Sequence, residues 1–344
     1  MKAAVVHGKG DIRIEEYKTP SAGDGEIIVR TRMCGICATD IKTLLGQGLP
    51  KDLPTILGHE VVGEIAETGK GVTGFEIGDR VAVYPIAVCG ECYFCRRDRN
   101  SLCEHEFGLA HGIEGGFAEF VRLPQEIVNI GGVVKLPDDL PFEKAVLAEP
   151  LSCVYASVKA CGVEPESTVL ILGAGPMGLM HVKVAKWAGA RVISVDLLDS
   201  RLETAKKMGA DFCLNPNSVN PVDEVKKITD GHGAEAVIAS LGIPQVIEEH
   251  LKLTRSGGTF NIFGGPPAGQ MISVDPRWLH YCEINLTGTF ASSVKQFREC
   301  VGLIGSGAID VEGLISDRFE LDRFLDAVEK AKSQAMIRGV VVFG

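Results

Sequence analysis

The chain has 344 residues, enough for two domains at about 100–200 residues each, and its 45% hydrophobic and 23% charged residues exclude a disordered chain. Thirty-five basic residues against 45 acidic ones leave a net charge of −10, a field that repels phosphate backbones and sets nucleic-acid binding aside. No apolar run reaches the ~18 residues of a membrane span, and the opening MKAAVVHGKGDIRIEE carries early acids and no hydrophobic signal region, so a soluble, cytoplasmic chain is expected.

Residues 1–150 read as β-rich. AAVVHG, DIRIEE, EIIVRTRM, EVVGEIAET, DRVAVYP and AEFVRL are short β-branched runs bounded by Gly, Pro and Asp, a spacing that predicts a barrel-like β domain. From about residue 165 apolar strands alternate with helices of about ten residues. The strands are TVLILG (168–173), RVISVD (191–196), DFCLN, AEAVIAS (234–240), GGTFNIFG and INLTGTF. The helices are GLMHVKVAKWAG, SRLETAKKMG, PVDEVKKITD and PQVIEEHLKLT. Near-continuous apolar strands between helices predict a parallel sheet covered on both faces, a doubly wound dinucleotide fold. After Phe290, VKQFRECVGLI and LDRFLDAVEKAK read as helices and RGVVVF (338–343) as a closing strand, which either returns to the first domain or extends the second. The expected fold class is α/β, with boundaries at 1–153, 154–290 and 291–344.

Eleven Cys in a large acidic chain without a secretion signal point to metal binding or catalysis before a disulfide framework. Four of them, Cys89, Cys92, Cys95 and Cys103, fall in a polar lobe spanning about residues 86–106, at a spacing that closes a tetrahedral shell around Zn²⁺. A loop that short and polar has no core in which to bury four unligated thiols. Four ligands leave no vacancy for substrate, so this zinc is expected to be structural.

Gly173, Gly175 and Gly178, with Ala174, Pro176 and Met177 between them, follow the strand VLIL and open a helix. Asp196 stands 23 residues after Gly173, at the end of the next strand. The glycines suit a tight turn, the approach of a pyrophosphate and close packing of helix on strand, and the diphosphate would rest on the helix N-terminus. Asp196 can accept hydrogen bonds from both ribose hydroxyls and would repel a 2′-phosphate, which favours NAD. The nearby Arg201 could hold that phosphate, so NADP stays as the alternative.

Cys34 and Cys37, His59 and Glu60, and Glu149 are individually weak signals. Beside a hydride carrier they form a second, mixed Cys/His/carboxylate set, and three protein ligands with an open position are what catalytic zinc requires.

GICATD, GHE, GDRVAV, the four-Cys lobe, GGFAEFV, AEPL and GAGPMG stand in the order found in the zinc-dependent medium-chain dehydrogenase/reductase superfamily, which the chain resembles over essentially its whole length. Glu149 in AEPL makes it similar to the polyol (sorbitol-type) and threonine dehydrogenase branch. The resemblance implies a GroES-like catalytic domain, an inserted Rossmann domain and a C-terminal segment returning to the first. It implies Cys37 and His59 as catalytic zinc ligands, Glu60 as a direct or exchanging ligand, and Glu149 as a ligand directly or through water. Cys34 matches no ligand position. Thr39 falls on the hydroxyl residue beside the zinc. Met177, Asp196 and Arg201 fall on cofactor contacts, Phe263 and Phe290 near the nicotinamide end, and Arg338 on an arginine reaching the pyrophosphate. Lys42 replaces the His that usually ends a proton relay, and Thr43 an aromatic common in sorbitol-type enzymes. The activity implied is NAD-dependent oxidation of a secondary alcohol or polyol to a ketone, in a homotetramer or dimer with two zinc ions per subunit. L-Threonine 3-dehydrogenase is the near alternative, and a non-redox zinc lyase or hydrolase on the same scaffold the remote one.

Overall fold

Nine residues with β-branched and apolar side chains on both faces make Ile27–Gly35 the strand on which the catalytic half is built. It pairs antiparallel with Glu60–Thr68 along one side, and with Phe120–Leu123 and Gly339–Val342 in tandem along the other. In this computed structural model, which describes residues 1–50, 52–333 and 336–344, the chain divides into two units. One comprises Met1–Ser152 with Ser292–Gly344, the other Cys153–Ala291.

The first unit carries a 7-stranded sheet flanked by two 3-stranded ones. Its core gathers Ile27, Val29, Ile65, Phe117, Leu123 and Val341. The closing strand, whose partner the sequence left open, joins Ile27–Gly35 by the pairs Val340 with Gly35 and Val342 with Met33. The last segment therefore belongs to the first unit. A further strand, Asp317–Glu320, pairs parallel to it and was not anticipated, because DRFE has three charged residues in four and shows no apolar run. The residues around AEPL, read only as a motif, open a 13-residue helix, Ala148–Ala160. Among the described residues no helix is long and apolar enough to cross a membrane.

The second unit holds one 6-stranded, wholly parallel sheet. Its spatial order is Phe212–Leu214, Arg191–Val195, Thr168–Leu172, Ala234–Ala239, Thr254–Ile262 and Asn285–Gly288, which in chain order is 3-2-1-4-5-6, the doubly wound dinucleotide arrangement. Thr168–Leu172 is buried at every position because helices cover both faces. Pro176, Pro221, Pro244 and Pro276 each open a helix, where a missing N–H costs nothing.

Candidate active site

Register brings the candidate metal-ligating side chains Cys37, His59 and Glu60 together. Cys37 caps the helix Ala38–Leu44 just after the strand Ile27–Gly35, and Glu60 begins the neighbouring strand directly opposite Gly35. One ligand atom each of Cys37, His59 and Glu60 lies within 4.8 Å of the others. Asp40 organises the group from behind. It is 2% exposed, its Oδ2 accepts from the Cys37 N–H at 3.0 Å, its Oδ1 accepts from the Gly58 N–H at 3.2 Å, and the same Oδ1 stands 3.5 Å from His59 Nδ1. A carboxylate behind a ligating imidazole fixes its ring and raises its basicity. Burial opposes a charge on His59, yet Asp40 and the Cys37 sulfur outweigh it and hold the imidazole well above its ordinary pKa. Asp40 was missed in the sequence, where it was only one letter of GICATD.

Glu60 is wholly buried. Its Oε1 meets the guanidinium of Arg338, while its Oε2 has no hydrogen-bond partner. A bare carboxylate oxygen sealed from water beside a thiol and an imidazole is a costly arrangement that a divalent cation resolves, so the residues present fit zinc. The resemblance implies that Arg338 reaches the pyrophosphate; within the first unit it is 4% exposed and paired with Glu60. The physical reason is register: Val340 opposes Gly35, Gly35 opposes Glu60, and Arg338 enters the sheet beside them. Glu149, in the first turn of Ala148–Ala160, lies outside the three-residue group, and its charge acts on Arg338. Thr39 and Lys42 are exposed on the helix Ala38–Leu44. Cys34 is buried, and burial, with Asp40 and Glu60 nearby, pushes its thiol well up; it is not among the three grouped residues.

Cys89, Cys92, Cys95 and Cys103 form a second group able to hold a metal, their sulfurs all within 4.8 Å of one another. Cys89 Sγ is 3.9 Å from Cys95 Sγ and 3.6 Å from Cys103 Sγ. Four sulfurs at Zn–S distances of about 2.3 Å stand about 3.8 Å apart, so the quartet has the size of a zinc shell and is far too open for a disulfide. Backbone N–H groups of Cys89, Cys92 and Cys95 donate to sulfurs of Cys103, Cys89 and Cys92 at 3.5, 3.4 and 3.5 Å. The Cys95 N–H in particular draws the Cys92 thiol down to about 6, while burial pushes Cys95 up to about 12. Asn100 anchors this lobe by accepting from the Val294 N–H at 3.1 Å.

In the second unit the three glycines each answer a different demand. Gly173 has φ +93°, a left-handed turn. A Cβ on Gly178 would lie 1.8 Å from Gly173 O, so helix and strand touch through it. A Cβ on Gly175 would meet nothing within 4 Å and would project into open space at the N-cap of Pro176–Trp187, a cradle suited to a phosphate. Asp196 Oδ2 accepts from the Ala174 N–H at 2.8 Å, its Oδ1 from the Leu198 N–H at 3.0 Å, and Arg201 stands 3.7 Å away. Met177 is half-buried in the turn, Phe263 follows the strand Thr254–Ile262, and Phe290 is 76% exposed.

Comparison with known proteins agrees with this geometry. Residues 23–138 match the family described as alcohol dehydrogenase GroES-like domain, and residues 176–306 the family described as zinc-binding dehydrogenase. The chain is 34% identical to the sorbitol dehydrogenase of Bacillus subtilis over 96% of its own length and 93% of the relative's. It is also 34% identical to the L-threonine 3-dehydrogenase of Pyrococcus abyssi, over 95% and 93%. A zinc-binding dehydrogenase from Sinorhizobium meliloti solved with NADP superposes with a TM-score of 0.92 at 29% identity, covering 99% of each chain. With a mixed Cys/His/Glu group, a four-Cys lobe and a 3-2-1-4-5-6 sheet in one chain, the protein belongs to the polyol branch of the zinc-dependent medium-chain dehydrogenase/reductase superfamily and is a zinc-containing alcohol or polyol dehydrogenase.

Proposed function

We propose that the chain oxidises a secondary alcohol of a polyol or sugar alcohol to a ketone with NAD as the hydride acceptor, using two zinc ions per subunit. The observation that carries this reading is the group Cys37, His59 and Glu60, with Glu60 Oε2 buried and unpartnered. When bound, zinc supplies Lewis-acid polarisation of the substrate hydroxyl, and the nicotinamide supplies the hydride acceptor.

The chain's own residues do the rest. Cys37 and His59 hold the ion, with Asp40 orienting both, and Glu60 completes or exchanges in the set. Glu149 acts directly or through water. Thr39 presents a solvent-reaching hydroxyl that takes the substrate proton and passes its own on toward the cofactor ribose or water; Lys42, exposed on the same helix and an ammonium without an acceptor site, ends no relay. Asp196 faces the ribose hydroxyls and disfavours a 2′-phosphate; Gly173, Gly175, Pro176, Met177 and Gly178 form the diphosphate turn, Arg201 is a further cofactor contact, Phe263 and Phe290 lie near the nicotinamide end, and Arg338 reaches toward the pyrophosphate.

L-Threonine oxidation is the second reading, favoured by the Pyrococcus relative and by Thr43, which stands where sorbitol-type enzymes carry an aromatic. Metal analysis of the purified protein, with initial rates on sorbitol, other polyols, vicinal diols and L-threonine, each with NAD and NADP, separates the readings. Two zinc per chain and a polyol preference with NAD are expected. A single ion held by the cysteine quartet, or preference for NADP, would defeat the metal or the coenzyme part respectively.

A further inference from the structure

His181 is buried at 0% exposure on the helix Pro176–Trp187, one turn beyond Met177. Its Nδ1 lies 2.8 Å from the Met177 carbonyl oxygen and 3.0 Å from Ser240 Oγ. A carbonyl can only accept, so Nδ1 carries the proton of the neutral ring and the Ser240 oxygen accepts the other half of a forked bond. Nε2 is then a buried acceptor without a partner. The ring meets Phe263 edge to face, with centroids 4.6 Å apart and planes at 88°.

A stranded ring nitrogen costs stability that a leucine would not. The compensation is that one side chain ties three segments at the carboxyl ends of three strands. Met177 follows Thr168–Leu172, Ser240 follows Ala234–Ala239, and Phe263 follows Thr254–Ile262. The last two segments are already pressed together: the N–H groups of Phe263 and Gly264 both donate to Ala239 O, at 3.1 and 2.8 Å, and a Cβ on Gly242 would lie 2.3 Å from Gly265 O. Thr168–Leu172 and Ala234–Ala239 are the neighbours at which the strand order reverses, where ligands lie in open α/β sheets.

We propose that His181 is a positioning residue for the nicotinamide end of the bound dinucleotide: its Nδ1–H fixes Met177 and Ser240, and its ring fixes the plane of Phe263. It transfers no proton. This rests on the nucleotide reading of the second unit.

The test uses the full, zinc-loaded chain and two probes, NADH and ADP-ribose, which shares the adenosine diphosphate ribose but lacks nicotinamide. His181→Leu should weaken NADH about tenfold and ADP-ribose by less than about twofold. Ser240→Ala should shift the ratio the same way by a smaller factor. His181→Asn, whose amide nitrogen donates from the place of Nδ1, should restore NADH binding to within about threefold. Equal losses for both probes would mean a purely structural histidine and overturn the proposal, as would unchanged NADH affinity in the Leu and Ala variants. If His181→Leu fails to fold, Ser240→Ala decides, since it removes one hydroxyl and little volume. Wild-type protein that binds ADP-ribose but not NADH defeats the inference; protein that binds neither defeats the nucleotide reading beneath it.

Discussion

A Cβ built on Gly35 would stand 1.9 Å from Oε2 of Glu60: the carboxylate lies across the bare Cα of the residue opposite it in the antiparallel pair. Gly35→Ala must therefore displace either the strand or the carboxylate. The expected outcome is loss of one metal ion per chain, the cysteine quartet keeping its own, with turnover down about a hundredfold. Metal analysis beside a rate measurement checks it, and full metal content with normal turnover would show that Glu60 is not needed where it lies.

The Glu60–Arg338 pair is buried on both sides, 0% and 4% exposed. Arg338→Met leaves a sealed carboxylate without its counter-charge, which typically costs about 3–5 kcal/mol. Because a bound cation would take over that role, the loss should be larger in chelator than in zinc. Urea unfolding under both conditions measures this, and equal losses would mean that Arg338 serves the fold alone.

How much of this was visible beforehand follows from sequence distance. The cysteine quartet and the glycine turn are local, and their spacing displays their geometry. The group around Glu60 is not local: Gly35, Glu60 and Arg338 meet only because three strands align, and no pattern within one strand reports its partner's register. Asp40 was illegible for a related reason: its bond to the Cys37 N–H is local, but its contacts with Gly58 and His59 exist only once the strands have aligned. His181 sits inside the helical run GLMHVKVAKWAG, and nothing in that run reports that Ser240 and Phe263, much further along the chain, meet its ring.

The two metal groups should separate by mutation. Cys103→Ser opens the quartet and is expected to lower the melting temperature while the Cys37 group keeps its ion. Cys37→Ser should abolish turnover with NADH binding and melting nearly unchanged. An unaltered melting curve for the Cys103 variant would count against a structural metal in the lobe.

Asp196 anchors the turn, because both its oxygens accept backbone N–H groups, and under the proposed function it also meets the ribose. Asp196→Ala should raise KM for NAD by about tenfold or more and affect NADP less, so that the ratio of kcat/KM values moves toward NADP. An unmoved ratio would place the discrimination elsewhere.

Acid should find His181. Burial lowers its pKa to about 3, against about 6.5 in an unfolded chain. Between those values the unfolded state binds a proton that the folded state does not, so stability is fully present above about pH 6.5 and declines as pH falls, by up to about 1.4 kcal/mol per pH unit for this one group. His181→Asn has no ring to titrate. Its stability should fall less steeply than that of the wild type between about pH 6 and 4, with the zinc ligands contributing equally to both proteins and cancelling in the difference. Equilibrium unfolding at stepped pH checks it, and parallel curves would mean that the His181 ring takes up its proton without leaving the fold.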